Sequence, residues 1–237
     1  MKLAIVLPTL NEARHLAFAL ESLPGEAETV VSDGGSVDET LAIASRYGAR
    51  IVSGDKGRGA QMNRGAWAAE GDVLLFLHAD CRLGPDAGRE MRAALEDPTV
   101  VGGAFRLELE GAGAGLRFAA GASNLRARYL KTPYGDQGLF LRRSVFEAIG
   151  GFPEIAFMED VAMVRHLRKY GKLVRLDATV TTGTRHWESL GALGTTLLNW
   201  SMVSLFLLGV SAERLAPFYR RLRGPGPPAG AEARELS

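Results

Sequence analysis

The chain of 237 residues is 46% hydrophobic and 23% charged, and 28 Lys plus Arg against 27 Asp plus Glu leave a formal charge of +1. Such a balance supports a sizeable core and excludes disorder for most of the length, and it lacks the cationic surplus on which nonspecific nucleic-acid binding depends. The single cysteine, Cys81, forms neither an internal disulfide nor a zinc framework, so a reducing, cytoplasmic setting is expected.

Met1-Lys2 and the apolar run Leu3 to Leu7 open like a targeting signal, but Pro8, Asn11, Glu12 and Arg14 cut the run short. It reads instead as a first β-strand. Further strands are predicted at Thr29 to Ser32, Ala49 to Ser53 and Val73 to Leu77, alternating with helical patterns as in βα units around a mostly parallel sheet. Asn11 and Ser36 are expected to cap the first two helices, and Gly48 and Gly71 to end the second and third. Pro85 suits the first turn of a fourth helix reaching about Glu96, and a strand follows at Val100 to Leu109.

Beyond this point Gly111, Gly113, Gly115 and Gly121 loosen the pattern before a helix around Leu116 to Tyr129. A strand at Leu139 to Arg142, a short helix from Ser144, a helix from Glu159 to Tyr170 and two short strands between Lys172 and Thr182 complete the globular part. Ser189 to Ala212 carries no charge and is about long enough to span a bilayer, yet Thr195, Thr196, Asn199, Ser201 and Ser204 spread polarity around its wheel. Together with Arg214, Arg220, Arg221 and Arg223 it suggests peripheral contact with the inner face of a membrane, with packing over the sheet or a homodimer interface as alternatives. The expected division is a domain over residues 1–187, helices over 188–223 and a flexible Gly/Pro/Ala-rich tail over 224–237.

In open α/β sheets ligands collect beyond the carboxyl ends of strands, so the loops there carry the chemistry. PTLNE (Pro8 to Glu12) offers a polar edge through Asn11, and Asp33 stands at a strand tip beside Gly34 and Gly35, able to accept from the N–H of a base or simply to form a turn. Lys56 and Arg58 sit among glycines ahead of a helix, where cations and helix N–H groups meet anions such as phosphate. Asp80 follows a strand expected to be buried on both faces, and magnesium or manganese takes one or two carboxylates plus phosphate oxygens. Glu159 and Asp160 open a helix, as macrodipole stabilisers or as an anchoring and a proton-accepting group.

PTLNE, the Asp33-Gly-Gly-Ser loop, KGRGAQMN, LHAD and MED, in that order, resemble family 2 glycosyltransferases of the GT-A (Rossmann-like) α/β fold over roughly Lys2 to Trp187. VGGAFR, PYGDQGLF, GGFPE and RHWE are similar to the subgroup termed selenodomain-associated transferase 2. The resemblance implies inverting transfer from a nucleotide sugar, UDP-linked by preference, to a hydroxyl on a small-molecule or lipid acceptor, assisted by Mn2+ or Mg2+. It implies that Pro8, Thr9, Asn11 and Glu12 line the nucleotide, that Asp33 and Gly35 meet the base, and that Arg58 and Gln61 flank the pocket. His78, Ala79 and Asp80 stand for the family's DxD motif, with Asp80 on the metal and His78 in place of the first Asp, its charge expected to vary with pH. Asp160 takes the part of base beside Glu159, and Arg185 and Trp187 lie on the acceptor side; Asp136 and Gln137 are acceptor-side candidates or an ordinary turn, and His186 is a surface polar residue in preference to a further metal ligand. A sugar nucleotidyltransferase fits less well, because its first loop is normally rich in Gly and Arg. A catalytically silent, membrane-attached binding protein has no need of both Asp80 and Asp160.

Overall fold

Strand β1 (Leu3–Thr9) is apolar on both sides because it runs through the middle of the sheet, between β2 (Glu28–Asp33) and β4 (Val73–Phe76), both parallel to it. Successive side chains point to opposite faces. Leu3, Ile5 and Leu7 enter one core, with helices α1 (Leu16–Glu21), α2 (Thr40–Arg46) and α4 (Ala87–Ala94). Ala4 and Val6 enter the other, with α3 (Arg58–Ala68), α6 (Arg143–Ile149) and α7 (Glu159–Leu167). The structure is a computed structural model that describes residues 1–111, 113–130, 135–183 and 190–223; Arg185, His186, Trp187 and the tail lie outside the described residues.

The eight-stranded sheet has the order β3-β2-β1-β4-β7-β6-β8-β5, with β3 (Arg50–Ser53), β5 (Cys81–Leu83), β6 (Val100–Leu109), β7 (Leu139–Arg142) and β8 (Lys172–Thr182). β7 runs antiparallel to both β4 and β6, and β5 antiparallel to β8, while the other pairings are parallel. The chain leaves β1 toward β2 and β3 and returns to β4 on its other side. The loops after β1 and β4 therefore part, which opens a crevice at the carboxyl edge.

Several local expectations are corrected by tertiary contacts. Asn11 and Ser36 do not cap helices: α1 starts at Leu16 and α2 at Thr40, and both side chains instead tie one loop to the other. Gly48, at φ 70°, does follow the end of α2, but Gly71 lies beyond the end of α3 and is small because a Cβ there would collide with the backbone of Leu3 and Ala4. Pro85 precedes α4 and lies outside it. Lys172 to Thr182 form one strand with a register shift, opposite the Ala104 to Arg106 step of β6, and α7 stops at Leu167. The unpredicted β5 is only three residues long and forms because β8 offers it an edge. The uncharged stretch divides: α8 (Gly191–Leu207) ends before Gly209, whose φ of 99° turns the chain into α9 (Ala212–Arg223). The helix over the glycine-rich segment, α5 (Ala114–Leu130), packs on β6 and α8.

Gly102 and Gly103 mark where β6 is pressed between its neighbours, since a Cβ on Gly102 meets the Phe140 carbonyl and one on Gly103 the Val174 carbonyl, both backbone atoms with no room to yield. Gly103→Ala is expected to cost about 1–3 kcal/mol, the usual penalty of forcing atoms into a packed core, and urea denaturation checks it.

Candidate active site

The first two strand-end loops are laced together before any ligand is considered. Asn11, at φ 55°, takes the left-handed conformation that Asn tolerates. Its backbone N–H donates to Ser36 Oγ at 2.8 Å, and its Oδ1 accepts from Val37 N at 2.9 Å. Glu12 N donates to Thr40 Oγ1 at 2.8 Å and Ala13 N to Asp38 Oδ2 at 3.1 Å. Thr9 ends β1 buried, with Pro8 half-buried ahead of it.

Asp33 is buried at the tip of β2, and each carboxylate oxygen takes two donors from the protein: Oδ1 from the Thr9 and Ser36 hydroxyls, Oδ2 from Gly35 N and Ser36 N, both at 2.8 Å. Burial pushes its pKa upward, but these hydrogen bonds, those from Ser36 foremost, outweigh it and hold the carboxyl below its ordinary value. Gly35 has φ 97°. Gln61, also buried, spans three elements: its Nε2 donates to Thr9 O at 2.8 Å and Ser32 O at 3.0 Å, and its Oε1 accepts from Gly57 N. Asp33 and Gln61 thus tie the ends of β1 and β2 to the loops that follow β2 and precede α3.

A cleft beside these loops is lined by Arg58, His78, Gly135, Glu159 and Asp160 over an apolar floor that includes Phe76 and Phe152. Residues far apart in sequence meet here. Arg58, at the start of α3, reaches Glu159 Oε1 at 3.4 Å; its side chain is 58% exposed, whereas that of Glu159 is 5% exposed. Burial first, and then the Asp160 charge, raise the Glu159 pKa against the pull of Arg58. Asp160 is half-buried and its carboxylate is aimed by two backbone donors, Gly135 N to Oδ2 at 2.7 Å and Val161 N to Oδ1 at 2.8 Å. A Cβ on Gly135 would stand 3.0 Å from His78 Nε2 and 3.3 Å from Asp160 Oδ2, so glycine is the residue that lets these groups approach one another.

His78 does not behave as the pH-sensitive group expected. Burial, reinforced by the Arg58 charge, lowers its pKa to about 4 despite Asp80 and Asp160, so the imidazole is neutral at neutral pH. His78, Asp80 and Cys81 each offer a ligand atom within 4.8 Å of the others, while Ala79 is buried between them in sequence. The Cys81 thiol donates toward Asp80 Oδ1 at 3.8 Å, and burial holds its pKa well up, so it stays a thiol. The donors are then a hard carboxylate and a borderline imidazole, and it is the Asp80 carboxylate that suits magnesium or manganese completed by ligand oxygens.

Asp136 and Gln137, expected together on the acceptor side, part company. Asp136 has a buried Oδ1 with no hydrogen-bond partner, and burial, helped by Asp160 and Asp80, raises its pKa to about 6 against Arg126. Gln137 is fully buried, bonded to Phe105 O, Asn124 and Arg126. Sequence reasoning missed Gly135 and Arg126, as well as Met158, a buried residue at φ 66° immediately before Glu159. A left-handed backbone costs a non-glycine residue roughly 1–2 kcal/mol. Here it turns the chain into α7, and Met158 is pinned by an apolar cluster with Val161, Met202, Val203, Leu215 and Tyr219.

Sheet order, crevice and carboxylate cluster define an α/β protein of the GT-A class. The crystal structure of S. aureus TarS 1-349 has this architecture, with a TM-score of 0.63 at 18% identity over 91% of this chain and 68% of that one. Glucosyl-3-phosphoglycerate synthase from Mycobacterium tuberculosis, solved with Mn2+, uridine diphosphate and glucosyl-3-phosphoglycerate, follows with a TM-score of 0.56 at 20% identity over 77% and 70%. The model of glycosyl transferase family 2 matches residues 4–150, and the chain belongs to that family. A PGL/p-HBAD biosynthesis glycosyltransferase of Mycobacterium bovis is 43% identical over 91 residues, 34% of this chain and 36% of that protein. The match thus spans about a third of the length of that relative.

Asp33→Asn is expected to destabilise the fold by about 1–3 kcal/mol at pH 7, because buried donors lose their anionic acceptor. The folded-state pKa is depressed, so the wild-type advantage is present above the unfolded value of about 3.9 and disappears as pH falls through the folded value. Urea denaturation of both proteins at pH 7 and pH 3 measures this convergence.

Proposed function

We propose that this protein is an inverting glycosyltransferase that moves a sugar from a UDP-linked donor to an acceptor hydroxyl, with Asp160 as the general base. The observation that carries the reading is the aim of Asp160: two backbone N–H groups hold its carboxylate in the cleft, beside neutral His78 and within the field of Arg58. Each oxygen keeps a lone pair for a proton. In the proposed step the acceptor O–H bond breaks toward Asp160, its oxygen bonds to the anomeric carbon, and the opposite bond from that carbon to the diphosphate breaks, leaving its electrons on the phosphate oxygen. Arg58 supplies positive charge for that leaving group. Glu159, paired with Arg58, anchors the turn.

Asp80 and His78 are the residues that would hold a divalent cation, which would neutralise charge on the diphosphate. Support for the donor class comes from fold relatives solved with UDP or UDP-GlcNAc in TarS, and with Mn2+ and UDP in the phosphoglycerate synthase. Asp136, with its unpartnered oxygen near Asp160, is proposed to meet the acceptor. Residues 1–187 form the proposed catalytic domain, residues 188–223 its helical extension and 224–237 a tail. Within the family the chain is assigned to the selenodomain-associated transferase 2 subgroup on its VGGAFR, PYGDQGLF and GGFPE motifs.

Calorimetric titration with UDP, GDP and dTDP, with and without Mn2+, tests the donor half: UDP is expected to bind in a metal-dependent way, and Asp80→Ala to abolish that dependence. Binding of none of the three overturns the reading. Asp160→Asn is expected to leave UDP affinity intact while transfer falls by roughly two to four orders of magnitude; near wild-type turnover removes Asp160 from its role. Gly135→Ala, which presses on both His78 and Asp160, is expected to lower kcat by about 100-fold if it displaces them by about 1 Å, with the melting temperature nearly unchanged.

A further inference from the structure

Helix α8 turns several large apolar side chains to solvent. Thr195 and Thr196 are buried on its inner side, the former with its hydroxyl unpartnered, whereas Leu193, Leu197, Trp200 and Leu208 lie outward with 60%, 66%, 44% and 83% of their surface exposed. Spacings of four and three residues put Leu193, Leu197 and Trp200 on one stripe, with Leu208 just past the helix end. Each neighbouring helix also exposes apolar side chains, Phe118, Leu125 and Tyr129 on α5 and Phe218 and Leu222 on α9. The helices touch, Gly115 of α5 coming so close to Ala192 of α8 that a Cβ would lie 3.2 Å from its methyl. A soluble surface rarely gathers so much apolar area without a partner.

The charge on the same layer is one-sided. Among the described residues, the exposed charged side chains of α5, α8 and α9 are Arg117, Arg128, Arg214, Arg220 and Arg221 against a single Glu213, in a chain whose formal charge is only +1. Two copies packed face to face would set arginine against arginine, whereas an anionic surface complements them. No helix among the described residues is long and apolar enough to cross a membrane. Leucine and tryptophan on α8 with arginine on the adjoining α5 and α9 combines the apolar and cationic groups that the headgroup region of a bilayer accepts.

From this geometry we infer that the α5–α8–α9 layer is a docking surface for an anionic lipid bilayer, with the Leu193–Leu197–Trp200 stripe entering the interface and the arginines meeting lipid phosphates. The inner side of the same helix pair carries Met202, Val203, Leu215 and Tyr219, packed on Met158 and Val161 on either side of Glu159 and Asp160. The docking face and the wall of the cleft are thus two sides of one layer, though the docking inference does not rest on the chemistry proposed for the cleft.

The test is co-sedimentation of the full chain with phosphatidylcholine vesicles, with and without phosphatidylglycerol, alongside tryptophan fluorescence. Binding is expected only with the anionic lipid and to weaken with salt, with a blue shift that Trp200→Phe removes. Arg214→Gln with Arg221→Gln should lower the partition coefficient roughly 25-fold, at about fivefold per charge. Leu197→Asp, at an exposed position, should abolish binding while the melting temperature stays near wild type. Absence of binding to either vesicle, binding indifferent to lipid charge, or a dimer in sedimentation equilibrium that Leu197→Asp dissociates overturns the inference. None of these outcomes bears on donor binding, so the two readings fail separately.

Discussion

Like charge gathered in a partly buried cleft is the constraint on which the site depends. Asp80, Asp136, Glu159 and Asp160 act on one another, and burial raises the pKa of both Asp136 and Glu159. Carboxylates so placed stay ionised only where donors or cations compensate them. The compensation is uneven: Arg58 pairs with Glu159, Asp160 takes two backbone N–H groups, and Asp136 has Arg126 within its field but a bare oxygen. That unevenness differentiates the acids, with Glu159 paired, Asp160 aimed and Asp136 keeping a buried oxygen without a partner.

The loops after β1 and β2 owe their shape to side chains bonded within the protein. Asp33, Gln61, Asn11, Ser36 and Asp38 spend their polar atoms on neighbouring backbone. Motif residues of this kind make the loops rigid, and rigidity limits the entropy lost when any ligand is ordered. The left-handed Met158 is the matching device on the opposite side. Its strain is borne by the apolar contacts of α8 and α9, so the helices at the end of the described chain help to hold the turn that carries Glu159 and Asp160.

Much of this was legible from residue order. Alternating apolar runs and capped helical patterns located β1 to β4, β6, β7 and most helices, because local periodicity and burial on both faces agree there. The family followed from motifs at strand ends. The failures share one cause. Asn11 and Ser36 read as caps because their side chains suit that role, but a partner loop 25 residues away in sequence competed successfully for them. β5 and the unbroken β8 depend on edges supplied by other strands, to which periodicity is blind.

The sequence by itself determined the doubly covered central strands, the order of the motifs and the identity of the acids, because hydrophobic period and residue chemistry are properties of short segments. Tertiary structure alone decided which acids face one another, that His78 is neutral, that Gln137 is buried scaffold while Asp136 keeps a bare oxygen, and that α8 turns its leucines outward. Those outcomes depend on desolvation and on charges brought close by folding, and both are set by distances in space that spacing along the chain does not encode.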